Sequence, residues 1–167
     1  MEVGFLRNHP LTFGLKAEQL RHLGTILEPV ELAPGDQVLG EGVPAKGLFL
    51  FSDGKLTVTQ RERGGVRTLA ELEAPTVVGE IELVTASPAG ASVSAATPAR
   101  GALLTADAFG KLLEAGDPAV TKILRNIARV LAQRLLATNK RVSTLVAAGK
   151  QAELAAIAGD VGHTWNP

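Results

Sequence analysis

Between residues 30 and 105 the chain runs in short β-rich stretches, and turn residues cut these apart. Leu56-Thr57-Val58-Thr59 alternates apolar and polar side chains, the period of a strand with one buried face. Turn signals at Pro34-Gly35-Asp36, Gly42, Pro44, Asp53-Gly54, Gly64-Gly65, Pro75, Gly79, Pro88, Gly90 and Pro98 recur at the spacing of about 8–12 residues that an all-β sandwich or barrel produces. Asp53-Gly54 separates Leu48-Phe49-Leu50-Phe51 from the alternating run and predicts a hairpin, because this dipeptide adopts the turn that matches strand twist. Gly64-Gly65 predicts a second hairpin, from residues 57–61 into 66–72, and residues 93–96 and 101–105 supply the last strands.

Helical periodicity flanks this segment. Leu15, Leu20, Leu23, Ile26 and Leu27, with Glu18 in the first turn, predict a short helix within residues 10–27, ended by Pro29. After Thr105, the stripe Ala108, Phe109, Leu112 and Leu113 predicts a helix closed by Gly116. Asp117-Pro118 then reads as an N-cap followed by proline at the first helical position. Nothing breaks the helix from there to residue 148. Within it Leu124, Ala128, Leu131, Leu135, Thr138, Val142 and Leu145 recur in alternating steps of four and three, which is a heptad seam. A second stripe, Val120, Ile123, Ile127 and Val130, covers only the first half. One reading lays the whole helix on its own barrel. The other packs it on the barrel first and then on a second copy, as a parallel two-helix homodimer contact.

Size and composition narrow the function classes. At 167 residues the chain supports one well-buried core. Its 17 basic and 17 acidic residues balance, so no net field recruits nucleic acid or anionic membrane. The absence of cysteine excludes disulfides, thiolate metal sites and a cysteine nucleophile. No apolar run is long enough to span a bilayer, no secretory leader is visible, and a cytoplasmic location is expected. Five Phe, one Trp and no Tyr offer little stacking surface for single-stranded nucleic acid. His9, His22 and His163 lack metal-ligand spacing, and neither a phosphate loop ending in Lys-Ser/Thr nor a nucleophile elbow occurs. Glu71 and Glu73 read as solubilising strand-end charges, and Lys140, Arg141 and Lys150 as a wet helix face. No catalytic or metal site is expected, and the chain is not read as an enzyme. Residues 152–158 extend a helical pattern, whereas 159–167, with Trp165, read as a frayed tail.

Candidate chemistry concentrates at residues 75–93. Val77-Val78 stops at Gly79, Glu80 follows at once, Ile81 to Thr85 suits one helical turn, and Pro88-Ala89-Gly90-Ala91 leads to a β-branched restart at Val93. Strand, glycine, acid, short helix, small-residue loop and strand form a layout for holding a small polar ligand. Glycine admits close backbone approach, and the opening N–H groups of a helix attract anions. Glu80 has two readings, a cap on the short helix and an acceptor for ligand hydroxyls.

Taken together, these elements resemble the cyclic-nucleotide-binding domain of the catabolite activator protein (Crp/Fnr) type. The resemblance rests on Ala33-Pro34-Gly35-Asp36-Gln37-Val38-Leu39, Gly47-Leu48-Phe49-Leu50-Phe51 with Asp53-Gly54-Lys55-Leu56, Val78-Gly79-Glu80-Ile81-Glu82-Leu83, and Pro88-Ala89-Gly90-Ala91-Ser92-Val93, and covers residues 17–148. It implies an α+β fold: an eight-strand antiparallel β-roll of jelly-roll type, flanked by an N-terminal helix and a long C-terminal helix over 118–148. Residues 1–16 would form an N-terminal segment and 149–167 a tail. The 79–91 stretch would be the phosphate-binding cassette, with cAMP or cGMP as the implied ligand and no cofactor. Glu80 would accept the ribose 2′-hydroxyl, while Gly79, Ile81 and Glu82 would present backbone N–H groups to sugar and phosphate. Thr138 and Asn139 fall where bacterial regulators meet the adenine, and Thr138 is also on the seam. A helix-turn-helix after the long helix is not expected, so neither is direct nucleic-acid binding; a protein partner is.

The chain departs from the family pattern at the cassette's end. Ala89 and Gly90 stand where the family has Arg and Ser or Thr, and only Ala91 keeps its type. A hydrogen bond to a charged group contributes about 1.5–3 kcal/mol, so losing the arginine implies binding weakened about 10- to 100-fold. Arg67 and Arg100 are the nearest candidates for a substitute cation, each otherwise a solvated strand-end charge. Glu82 stands where the family has a small residue, and would repel a phosphate if it faced the pocket. Two function classes follow. One is a stand-alone signalling domain sensing cAMP or cGMP weakly. The other is a degenerate domain that binds no cyclic nucleotide and serves dimerisation and protein interaction.

Overall fold

The punctuated segment folds into two antiparallel sheets of four strands each. In the first, the order is β1 (Glu28–Leu32), β8 (Ala99–Thr105), β3 (Gly47–Asp53) and β6 (Thr76–Val78). In the second it is β2 (Gln37–Leu39), β7 (Ser92–Ala95), β4 (Lys55–Glu62) and β5 (Gly65–Glu73). This computed structural model describes residues 3–147 and Gly149. The antiparallel β-roll expected from the sequence is present, with helices before and after it.

Local chemistry explains the turns. At Gly54 φ is +98°, and a Cβ there would lie 2.6 Å from the Pro98 carbonyl oxygen, so only glycine fits the turn between β3 and β4. That turn is not the hairpin expected at Asp53-Gly54: β3 and β4 belong to different sheets, and the dipeptide carries the chain from one to the other. The β4–β5 hairpin pairs Glu62 with Gly65. Its two-residue loop is therefore Arg63-Gly64, one position earlier than the Gly64-Gly65 turn expected. Pro29 does not end a helix: it lies inside β1, paired with Ala102. Since β1 is an edge strand, the missing N–H leaves no internal ladder bond unmade.

The short helix expected within residues 10–27 is present, preceded by two 3-10 turns that were not expected. Val3–Asn8 and Pro10–Thr12 are 3-10 turns, and α1 spans Ala17–Ile26. His9 caps the second turn by accepting the Leu11 N–H at Nδ1, and Gly14 at φ +79° redirects the chain. Helix α2 spans Glu80–Thr85, α3 spans Ala106–Glu114 and α4 spans Pro118–Ala147. The Thr105 hydroxyl accepts the Ala108 N–H, and an Asp117 carboxylate oxygen accepts the Ala119 N–H at 2.7 Å, so both helix starts are capped, the second as the sequence indicated. On α3, Phe109 is buried and Leu112 half-buried, but Leu113 is exposed: the buried stripe is narrower than the run of apolar letters.

Strand β3 is buried on both faces. Phe49 and Phe51, whose rings stack with centroids 6.3 Å apart, join Leu39, Leu56, Val78, Val93 and Leu103 between the sheets. Leu48 and Leu50 take the opposite face by the strand's two-residue period and are equally buried, with α3 lying on β3 and β8. Full burial of one such side chain contributes about 1.5–3 kcal/mol. Leu6, Leu11, Leu20, Leu23, Val120, Ile123 and Ile127 are buried as well.

The chain divides into two compact units at Ile127 and Ala128. In the first, polar side chains of α4 hold the N-terminal turns. Asn126 Nδ2 donates to the carbonyls of Leu11 at 2.8 Å and Phe13 at 2.9 Å, and Lys122 Nζ donates to that of Gly14 at 2.8 Å. In the second, Leu135, Leu136 and Val146 are exposed, Leu131, Val142 and Leu145 half-buried, and Ala128 and Thr138 exposed. Among the described residues no helix is long and apolar enough to cross a membrane. The expected tail, with His163 and Trp165, lies outside the described residues.

Candidate functional site

Two buried residues define the site, one charged and one apolar. The charged one begins at β6, whose Val78 runs into Gly79. At Gly79 φ is +87°, and a Cβ would sit 2.2 Å from the Gly47 carbonyl oxygen, so the turn requires glycine twice over: for its conformation and for its lack of a side chain. Glu80 follows as the first residue of α2 and is 2% exposed. The Leu83 N–H donates to the Gly79 carbonyl at 3.1 Å, which closes the first turn of the helix. A carboxylate removed from water costs several kcal/mol unless its surroundings compensate it. The polypeptide therefore folds around Glu80 as a polar feature.

The apolar residue is Ala89, also 2% exposed. Its methyl belongs to the intersheet cluster with Leu39, Phe49, Val78 and Val93. Its backbone is committed on both sides: the Ala89 N–H donates to the Val43 carbonyl at 3.0 Å and its carbonyl accepts from the Gly42 N–H at 2.7 Å. Neighbouring groups are drawn in too. Gln60 Nε2 donates to the Gly90 carbonyl at 3.3 Å, and the Glu41 N–H donates to Ser92 Oγ at 3.1 Å. A Glu41 carboxylate oxygen in turn accepts the Arg61 N–H at 2.9 Å. Gln60 shares strand parity with Leu56 and Val58, a signal that could have marked it; nothing local marks Glu41.

The other predicted positions separate. Ile81 is 51% exposed, Gly90 is exposed and Ala91 half-buried. Glu82 is half-buried on the wall of a cleft of about 210 Å³ that it shares with Pro44, Ala45, Gly47 and Ser87. Thr138 and Asn139 belong to the second unit and are exposed; the Thr138 hydroxyl donates to the Arg134 carbonyl at 3.0 Å. Arg67 pairs with Glu62 at 3.0 Å. Arg100 lies 3.7 Å from Glu31, on a different cleft that also carries Asp36 and Asp53. The two arginines nearest in sequence thus each face a carboxylate of their own.

His9 is tied to the strand that leads into the cassette. Its Nε2 bonds the Thr76 carbonyl at 3.0 Å while Nδ1 accepts the Leu11 N–H at 3.2 Å, so the ring is held neutral with the proton on Nε2. Burial pushes its pKa below the ordinary histidine value, and hydrogen bonds to backbone at Thr76 and Phe51 oppose that in part.

Comparison with known proteins agrees with this architecture. Residues 29–115 match the model of the cyclic nucleotide-binding domain family. A cyclic nucleotide-binding domain from Methylobacillus flagellatus superposes with a TM-score of 0.76 over 83% of each chain at 24% identity. The Acetyltransferase Pat of Mycolicibacterium smegmatis is 29% identical over 92% of this chain, which spans 45% of that protein's length. The regulatory subunit of a cAMP-independent protein kinase A from Trypanosoma brucei superposes with a TM-score of 0.62 at 25% identity, covering 77% of this chain and 48% of its own. That structure is a triple variant, Glu to Ala, Thr to Arg and Val to Ala, bound to cAMP in the A site.

Proposed function

The chain belongs to the cyclic nucleotide-binding domain family, and from that premise we propose that it is a regulatory, ligand-sensing domain rather than an enzyme, one that binds cAMP or cGMP weakly. The observation that carries this reading is Glu80, 2% exposed behind a turn only glycine can make. The ribose 2′-hydroxyl donates to its carboxylate, and the opening N–H groups of α2 face the phosphate. Thr138 or Asn139 closes over the base, and occupancy shifts the packing of the long helix in a homodimer. The ligand then acts by binding one arrangement of that helix better than the other, which a protein partner reads.

Weakness of binding follows from the cassette's end. The positions altered in the Trypanosoma brucei variant are spaced seven and then one residue apart, as are Glu82, Ala89 and Gly90 here. The cAMP-bound variant carries Ala, Arg and Ala at its positions, whereas this chain carries glutamate at the first and no arginine at the second. Without that arginine, affinity falls about 10- to 100-fold. The burial of Ala89 in the apolar cluster favours a second reading, in which the domain binds no cyclic nucleotide and serves dimerisation and protein interaction.

Calorimetric titration of the full chain with cAMP and cGMP tests the proposal. Dissociation constants between micromolar and millimolar are expected, lost in Glu80→Gln. Absence of heat at millimolar ligand would leave only the interaction module for these ligands, and submicromolar binding would refute the assigned weakness.

A further inference from the structure

The site's ionic composition identifies the ligand class more closely. We propose that the roll selects an uncharged nucleoside over the corresponding cyclic nucleotide: the glutamate that would read a ribose is kept, the arginine that would neutralise a phosphate is replaced by a methyl group, and the charged side chains that remain along the cassette are carboxylates. The inference rests on the reading that the roll holds a ribose-bearing ligand at Glu80.

The charged side chains along the cassette are acids. Glu80 is buried at its start, and Glu82 is half-buried two residues on. Glu41 is held at the cassette's end through Ser92 and the Arg61 N–H. Arg61 contributes its backbone there while its side chain is exposed, and Arg67 and Arg100 lie against Glu62 and Glu31. A phosphate entering this setting would lose hydration and gain repulsion from the carboxylates. Helix α2, six residues long, offers too small a dipole to offset that.

A backbone donor at the arginine's position is also committed elsewhere. The Ala89 N–H is bonded to Val43, and its methyl fills apolar space beside Leu39 and Phe49. At this end the Gly90 carbonyl and the Ser92 hydroxyl oxygen also act as acceptors, for Gln60 and Glu41. A nucleoside has the complementary chemistry. Its 2′- and 3′-hydroxyls are donors to carboxylates, and its 5′-hydroxyl is a neutral donor where the cyclic ester would place an anion. Hydrogen bonds from a neutral hydroxyl to an ionised carboxylate are among the stronger ones available to it.

The test is paired calorimetry on the full chain, adenosine against cAMP and guanosine against cGMP, each pair sharing base and ribose. At least one nucleoside should bind about tenfold or more tightly than its cyclic phosphate, and Glu80→Gln should weaken it by a similar factor. Ala89→Arg should narrow or reverse the ratio; because Ala89 is buried, folding of that variant is checked by circular dichroism, and the wild-type ratio decides if it does not fold. Cyclic nucleotides binding as tightly as nucleosides would overturn the inference and leave the ligand-sensing reading standing. Nucleoside binding unchanged in Glu80→Gln would place the ligand elsewhere and overturn the inference. Binding of none of the four would overturn the ligand-sensing reading, and the inference with it.

Discussion

Acidification just below pH 6.5 should weaken the fold through His9. The unfolded chain titrates this ring near 6.5, whereas the folded protein holds its pKa lower, chiefly because burial disfavours the charge. Above pH 6.5 both states are neutral and the full stability is present. As pH falls, the unfolded state takes up the proton first. Stability is lost until the folded pKa is passed, at up to about 1.4 kcal/mol per pH unit for one proton. Geometry gives the same sign: a protonated Nδ1 cannot accept the Leu11 N–H it accepts at 3.2 Å. Against a total of about 5–15 kcal/mol for a typical domain, one pH unit is a substantial fraction. Urea midpoints at pH 7.5, 6.5 and 5.5 for the wild type and His9→Gln read the effect. Glutamine keeps a donor and an acceptor but does not titrate, so the difference in slope isolates His9 from other groups. The variant should lose about 1–3 kcal/mol at pH 7.5 through imperfect hydrogen bonds and show a flatter profile. Parallel profiles would refute the assignment.

Two further outcomes follow from the backbone and the long helix. Gly79→Ala places a Cβ 2.2 Å from the Gly47 carbonyl oxygen at a φ of +87°, and should cost at least about 2 kcal/mol from conformation and overpacking together; an unchanged melting temperature would show that the turn is not constrained as described. Leu131→Asp puts a charge on the heptad seam and should convert a homodimer to monomer in sedimentation, whereas an unchanged mass would discard the helix-to-helix contact.

What was legible in the sequence was local. Thr105 before α3, Asp117-Pro118 before α4 and Gly79-Glu80 before α2 each encode their geometry within a few residues, and each stands where expected. Asp53-Gly54 turns the chain but joins strands of different sheets, which a dipeptide does not encode. What escaped was set at a distance. The 3-10 turns before α1 are tied down by bonds to Thr76 and Asn126, and no periodicity reveals these. Leu112 and Leu113 are equivalent letters with different burial, because a helix turns 100° between them. Ala89 shows only an absent arginine in the sequence. The structure adds that its methyl is core and that Gln60 and Glu41, 29 and 48 residues away, secure its neighbours.

The clamp on the N-terminal turns also has an order in time. Chains are synthesised at about 5–20 residues per second, and Leu11 and Asn126 are separated by 115 positions, so the two are made about 6–23 s apart. Thr76 comes 67 positions after His9 and is made about 3–13 s after it. A nascent chain can therefore dock its first turns on β6 well before α4 exists to seal them. In that interval the Leu11 and Phe13 carbonyls lack the Asn126 amide that bonds them in the finished protein, and the turns are open to a chaperone.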